Sequence, residues 1–324
     1  MGRNQVRASF RYAFIFPSIL WMIVLPGCRK TPPVVEGLMP ADGFRIYYKT
    51  VGSGEPLFLL QGGPGLEHTY LRPQMERLAG RYRLVFSDQR YIGKSEGILD
   101  SAKVTFDGFV QDVDSLRKSL GFESIHILGH SFGGLTAMAY AARFPDRVRT
   151  LVLMNSAGPD YHFFEQFGEN LSRRMSDTDS LKLEEILRSD EYRNRRPEAH
   201  RGFLRTLFKS YFSDTSQAVQ LNLAMTENTS RNRGKVNTWI WQDLGEYDLR
   251  AEIARIACPT LVIHGDSDPV PLESALAIQK AIPQSKIVVL QKTGHFPYIE
   301  KPGRLFKVLN QFYNKPHAGS ISLK

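Results

Sequence analysis

Cysteine is nearly missing from this chain: of 324 residues only Cys28 and Cys258 carry a thiol. Two residues so far apart cannot form a disulfide framework, and neither sits in a zinc-ligand spacing, so no structural metal is expected. Internal repeats and low-complexity tracts are also absent, which excludes solenoids and fibrous arrays. With 42% apolar and 23% charged residues the composition is that of a folded domain, and wholesale disorder is excluded as well. There is no block rich in lysine and arginine, although the formal charge is +9. Three of the arginines (Arg3, Arg7, Arg11) fall in the first 27 residues, and without that segment 39 basic residues face 33 acidic ones, or +6. The rest are interleaved with acids, as in Arg193 to Glu198, so a solvated surface accounts for them and a nucleic-acid partner is not expected.

The longest apolar run, Ala13 to Leu25, follows the three arginines and is short for a membrane span. A basic segment before such a run is the pattern of an export signal over 1–27. The next residues, Leu25-Pro26-Gly27-Cys28, resemble a bacterial lipobox, with Pro26 where a small residue is usual; Cys28 is then the expected lipidation site. The expected location is the periplasm or cell exterior, tethered to the membrane. An uncleaved anchor or a cytoplasmic chain are the alternatives. Residues 28–40, with Pro32, Pro33 and Pro40, are expected to be a tether, and 317–324 a tail.

Beyond residue 41, short apolar runs alternate with amphipathic patterns. Phe44–Lys49 alternates as a hairpin strand does. Pro56–Leu60, Arg83–Phe86, Ser124–Leu128, Thr150–Met154, Thr260–Ile263 and Lys286–Leu290 suit strands buried on both faces of a parallel sheet. Between them, Phe106, Phe109, Val110, Val113, Leu116 and Leu120 recur at helical spacing, and Leu135–Phe144, Leu272–Ile282 and Arg304–Phe312 read as further helices. This alternation predicts an α/β fold with a mostly parallel central sheet flanked by helices. Residues 159–250 break it, with helical patterns and no buried strand. They are expected to form a helical cap inserted between core segments 41–158 and 251–316.

The most informative motif is Gly129-His130-Ser131-Phe132-Gly133, placed directly after one strand and opening a helix. A serine on so sharp a turn is held in a strained backbone conformation that bulky neighbours would prevent, and the helix N-terminus favours negative charge beside it. Ser131 is therefore the expected nucleophile. It needs a base, and of eight histidines His295 is best placed, in the loop after the last strand. His264 ends a strand beside a turn, His130 points away from the elbow, and His68, His126, His162, His200 and His317 read as ordinary histidines. The orienting carboxylate is expected after the penultimate strand, where Asp268 lies deeper than Asp266; Asp266 fits a turn brace, and Asp160 is a distant third. Gln61-Gly62-Gly63-Pro64-Gly65 follows the strand Pro56–Leu60 and suits an oxyanion site, with donors from the backbone N–H of Gly63 and Phe132. No Gly-Lys-Ser/Thr follows it, so it is not a phosphate loop.

Taken together, residues 40–315 resemble the α/β-hydrolase superfamily, and within it the proline iminopeptidase-like branch. The resemblance rests on the elbow, on Gln61-Gly62-Gly63-Pro64-Gly65, on Tyr70-Leu71-Arg72-Pro73, and on Asp88-Gln89-Arg90 leading into Gly93-Lys94-Ser95. Ser131, Asp268 and His295 also stand in that fold's chain order. Three positions depart from the pattern. Gln61 replaces a usual histidine, Tyr91 stands where the branch usually has glycine, and the glutamates that hold a substrate's amino group have no obvious match.

The resemblance implies a serine hydrolase working through an acyl-enzyme, with no metal or organic cofactor, on short peptides with N-terminal proline. A carboxylesterase acting on small or lipid-like esters is the alternative, and a non-catalytic binding protein on the same scaffold is the reading from another class. Glu227 and Glu246 are the candidate amine-binding residues, by composition and nearness to the cap's end, with solvated surface glutamates as the other reading. Phe163, Phe164, Trp239 and Trp241 are candidate apolar lining of the cap, or part of its core.

Overall fold

The computed structural model describes residues 1–2 and 32–314, so the leader, Cys28, His317 and the expected tail lie outside the described residues. The strands are β1 (Val34–Ala41), β2 (Phe44–Val51), β3 (Glu55–Leu60), β4 (Tyr82–Ser87), β5 (Glu96–Gly97), β6 (Ile125–His130), β7 (Val148–Met154), β8 (Thr260–Gly265) and β9 (Lys286–Leu290). They form one sheet in the order β1-β2-β4-β3-β6-β7-β8-β9, with β5 paired to β2. From β4 onward every neighbour is parallel, whereas β1, β2 and β5 add an antiparallel edge.

The central strands are apolar throughout because both of their faces are covered. Along β6 and β7, Ile125, Ile127, Leu151 and Leu153 enter one core, while Leu128, Val152 and Met154 enter the other. This alternation sends successive side chains to opposite faces, so a parallel strand needs apolar residues at nearly every position. Helices α1 (Phe106–Ser119) and α2 (Phe132–Arg143) cover the first face. The Thr105 hydroxyl caps α1 by accepting the Gly108 N–H, and Phe106, Phe109, Val110, Val113 and Leu116 form its buried stripe.

Five α-helices lie between Asp160 and Asp248, in the insertion after β7: α3 (Phe163–Arg174), α4 (Asp177–Arg188), α5 (Asp190–Arg193), α6 (Pro197–Phe208) and α7 (Glu227–Leu244). An antiparallel bridge between Asp160 and Asp248 ties the two ends of this insertion together. The chain then returns to the core through α8 (Arg250–Ile253), α9 (Leu272–Ala281), α10 (Pro297–Glu300) and α11 (Pro302–Tyr313). Leu305, Leu309 and Phe312 of α11 belong to the second core.

One boundary needs correction. The stretch 28–40, expected to be a tether, is a strand from Val34 onward, paired with β2 from Val34 opposite Val51 to Ala41 opposite Phe44. Pro40 is compatible with this because β1 is an edge strand. At an edge, alternate N–H groups face away from the partner, so a proline at such a position costs no ladder bond.

Candidate active site

Every chemically interesting loop leaves the C-terminal end of a parallel strand. Ser131 follows β6 and caps α2 with φ 58° and ψ −126°, a left-handed conformation that costs energy for any side chain. Its turn is closed by backbone packing. A Cβ on Gly133 would lie 2.2 Å from the Leu60 carbonyl oxygen, and one on Gly129 would lie 2.4 Å from that of Gly133. The glycine-rich loop after β3 rests directly on the serine, since a Cβ on Gly62 would sit 2.7 Å from Ser131 Cβ and 3.1 Å from its Oγ. Substitution of any of these glycines would force the strand ends apart.

His295 and Asp268 meet from the loops after β9 and β8. His295 Nδ1 is 2.9 Å from each carboxylate oxygen of Asp268, and both side chains are buried. Burial opposes ionisation of Asp268, but the charge and hydrogen bond of His295, with help from His264 and Asn155, outweigh it and hold its pKa below the usual carboxylate value. Asp268 also accepts the Val270 N–H at 2.9 Å. Asp266, by contrast, accepts the Thr293 N–H at 3.1 Å and braces the neighbouring turn. His264 is engaged elsewhere, its Nε2–H donating to the Val270 carbonyl at 3.0 Å.

Several residues of this centre escaped sequence reasoning. Asn155, immediately after β7 and at φ 48°, donates its amide to Asp268 Oδ2 and, at 3.1 Å, to the Gly294 carbonyl. Its place at a strand's C-terminal end was the available signal. Buried Glu300 accepts the N–H groups of Gly294 (2.9 Å) and Ser213 (2.8 Å), joining the histidine loop to a strap of the cap. Burial raises its pKa in spite of those bonds. The same strap supplies the Tyr211 carbonyl, which accepts the His295 N–H at 2.8 Å. Tyr70, part of the Tyr-Leu-Arg-Pro segment, accepts the Gly62 N–H on its hydroxyl at 2.6 Å.

The expected lining residues divide. Trp241 packs edge-on against Phe132 (5.4 Å between ring centroids) and against Phe164 (4.7 Å), and Phe164 in turn packs on Phe163 at 4.3 Å. Trp239 instead lines a surface groove with Gly43, Tyr91, Ile98 and Leu99. Glu227 is exposed and ion-paired with Arg231 at 2.7 Å, one helical turn along α7, and Glu246 is exposed beyond the end of that helix. The structure does not bring either glutamate into the buried centre.

A family model for the alpha/beta hydrolase fold matches residues 55–302. The chain belongs to that family. It is therefore a hydrolase, and the sheet, the cap and the resemblance to the proline iminopeptidase-like branch are in accord. A proline iminopeptidase of Heyndrickxia coagulans is 26% identical over 289 residues, covering 86% of this chain and 98% of the relative. The 2-hydroxymuconate semialdehyde hydrolase of Pseudomonas sp. (strain CF600) is 31% identical over 304 residues, covering 90% and 99%. Among solved structures, VinJ superposes with a TM-score of 0.66 at 22% identity over 86% of this chain and 97% of that one. The proline iminopeptidase of Mycobacterium smegmatis superposes with a TM-score of 0.63 at 20% identity, with the same coverage. These similarities in structure concern the fold.

Proposed function

We propose that this hydrolase acts through Ser131, His295 and Asp268 by way of a covalent acyl-enzyme. The observation that carries the reading is the arrangement of four loops at one sheet edge: a strained serine under the glycine-rich loop, and a buried imidazole held at Nδ1 by a carboxylate. With Nδ1 occupied, Nε2 of His295 is free to take the Ser131 proton as Oγ attacks a carbonyl, and then to deliver it to the leaving group. Asp268 fixes the tautomer and stabilises the imidazolium. The Gly62 N–H is spent on Tyr70, so the loop offers the Gly63 N–H, with that of Phe132, to the developing oxyanion. The same imidazole then activates water to release the acyl group. Ser131→Ala is expected to lower turnover by about 10⁴-fold or more with an unchanged melting temperature; undiminished turnover would end the mechanism, whereas no turnover in the parent chain would favour a binding protein on this scaffold.

For substrate, we favour short peptides with N-terminal proline, supported by the names of several relatives. A specific observation favours a second reading. Glu227 and Glu246 lie at the surface, so a substrate ammonium has no partner among the residues first considered for it, and ester hydrolysis needs none. Initial rates of the full chain on a prolyl arylamide with a free amino group and on a short-chain aryl ester separate the two. Preference for the arylamide, lost when its nitrogen is acylated, supports the aminopeptidase; ester turnover alone supports the esterase. We also propose export and attachment through Cys28, supported by the leader sequence. If Cys28→Ser leaves the processed chain on the membrane, lipidation is not the tether.

A further inference from the structure

His130 takes no part in the mechanism above, yet it is 1% exposed and both of its ring nitrogens are engaged at the centre. Nε2 lies 2.8 Å from the carbonyl oxygen of His295, and Nδ1 lies 2.7 Å from the hydroxyl of Tyr70. A carbonyl oxygen only accepts, so the proton of the neutral ring is on Nε2 and Nδ1 is an acceptor. Tyr70 must then donate its O–H to Nδ1, and the oxygen's lone pair receives the Gly62 N–H. The result is one unbroken line of donation, from Gly62 through Tyr70 and His130 to the main chain of His295, in which each hydrogen has a single place to go.

We infer that Tyr70 and His130 are positioning residues that lock the oxyanion loop and the catalytic-base loop into one register. The line begins one residue before Gly63 and ends on the base itself. His295 is thereby held at both main-chain ends, its N–H by the Tyr211 carbonyl of the cap and its C=O by His130 of the core. Tyr70 also favours the uncharged ring, because a second ring proton at Nδ1 would leave the buried hydroxyl hydrogen without its acceptor. This matters because the two imidazole centroids are 4.7 Å apart, and a cation on His130 would oppose the imidazolium that His295 forms in the reaction. Burial and the neighbouring charge of His295 act in the same direction, lowering the His130 pKa to about 3.

The inference rests on the serine-hydrolase reading, and its test separates the two. In the full chain labelled with ¹⁵N-histidine, NMR is expected to show the His130 proton on Nε2 across neutral pH, a result that needs no turnover at all. Tyr70→Phe removes only the hydroxyl. It is expected to lower kcat by roughly 10- to 100-fold with KM within about twofold, whichever of the arylamide or aryl ester is turned over. Tyr140→Phe is the control: Tyr140 is equally buried, and its hydroxyl donates to Asp114 at 3.1 Å, at the far end of α2. Both variants should lose about 2–4 °C in Tm, but Tyr140→Phe should keep its kcat. A His130 proton on Nδ1, a Tyr70→Phe enzyme with kcat within twofold of the parent, or an equal kcat loss in Tyr140→Phe would each overturn the inference. Ser131→Ala with full turnover would instead overturn the mechanism and leave the tautomer standing.

Discussion

Helix α7 and the pair α4–α5 belong to the same cap, but the core holds them very differently. The α7 helix and its N-cap Thr226 are hydrogen-bonded to the core. The Thr226 N–H and Thr229 hydroxyl both reach Glu67 at 2.7 Å, Asn232 reaches the Tyr91 carbonyl at 2.9 Å, and Asn237 reaches that of Pro64 at 3.2 Å. Gly65 packs so closely that a Cβ there would lie 2.9 Å from the Arg233 carbonyl oxygen. Helices α4 and α5 place no residue in the interior; Arg188 pairs with Glu184 and Arg193 with Asp190 within their own turns, and Asp179 pairs at 2.6 Å with Lys209 just beyond α6. One part of the cap is thus a wall fixed to the glycine-rich loop, and the other is an outer layer. Stability and catalysis should respond to the first and ignore the second.

The most damaging change should be at Glu67, a buried carboxylate on the residue after Leu66, at the end of the glycine-rich loop. Glu67→Ala strands the Thr226 N–H and the Thr229 hydroxyl without their acceptor. Charge-assisted bonds of this kind contribute about 1.5–3 kcal/mol, so urea unfolding should show a loss of roughly 2–3 kcal/mol. The measured kcat/KM should fall too, because the same loop carries Gly63. Full stability in this variant would mean that α7 is held by its other contacts, among them those of Asn232 and Asn237, without help from Glu67.

A smaller effect of opposite sign is expected at Tyr91, the position where the branch usually has glycine. Its φ of 65° explains that preference, since only glycine adopts the left-handed region without strain. What retains the tyrosine is burial: its ring is 1% exposed, packs on Phe44 at 5.5 Å, and its carbonyl receives Asn232 of α7. Its hydroxyl, however, is buried without a partner. Tyr91→Phe keeps the ring and removes the unsatisfied group, so it should stabilise by about 1 kcal/mol in the same urea measurement. A loss of stability would show that the hydroxyl is satisfied in solution.

These examples mark how far the sequence could be read. The parallel strands were legible because burial on both faces leaves an apolar run, and Ser131 because its turn demands glycines at Gly129 and Gly133. The histidine and acid loops were legible from their position after strands. Strand β1 was not, because prolines weaken any local signal and only pairing with β2 makes the strand. Glu67 and Glu300 were invisible for a related reason: a carboxylate in a loop looks solvated until the chain folds over it. Trp239 and Trp241 show the limit within a helix. Two residues apart they point about 200° away from each other, and nothing local says which one faces Phe132. The surface pairing of Glu227 with Arg231, by contrast, was available from the spacing of four.

The least effect is expected where the outer layer is most exposed. Leu181 on α4 is 67% exposed, and Lys182, Glu184 and Glu185 are among its neighbours on that helix. An exposed leucine loses little transfer energy when it is replaced, and serine costs only part of a kcal/mol in helix propensity. Leu181→Ser should therefore change unfolding free energy by no more than about 0.5 kcal/mol and leave kcat/KM unaltered. The value of this variant lies in its pairing with Glu67→Ala. If Leu181→Ser slowed the enzyme while leaving it stable, α4 would be touching substrate or gating its entry, and the division of the cap into a fixed wall and an outer layer would fail. If only Glu67→Ala does so, the catalytic geometry is set by the α7 side alone.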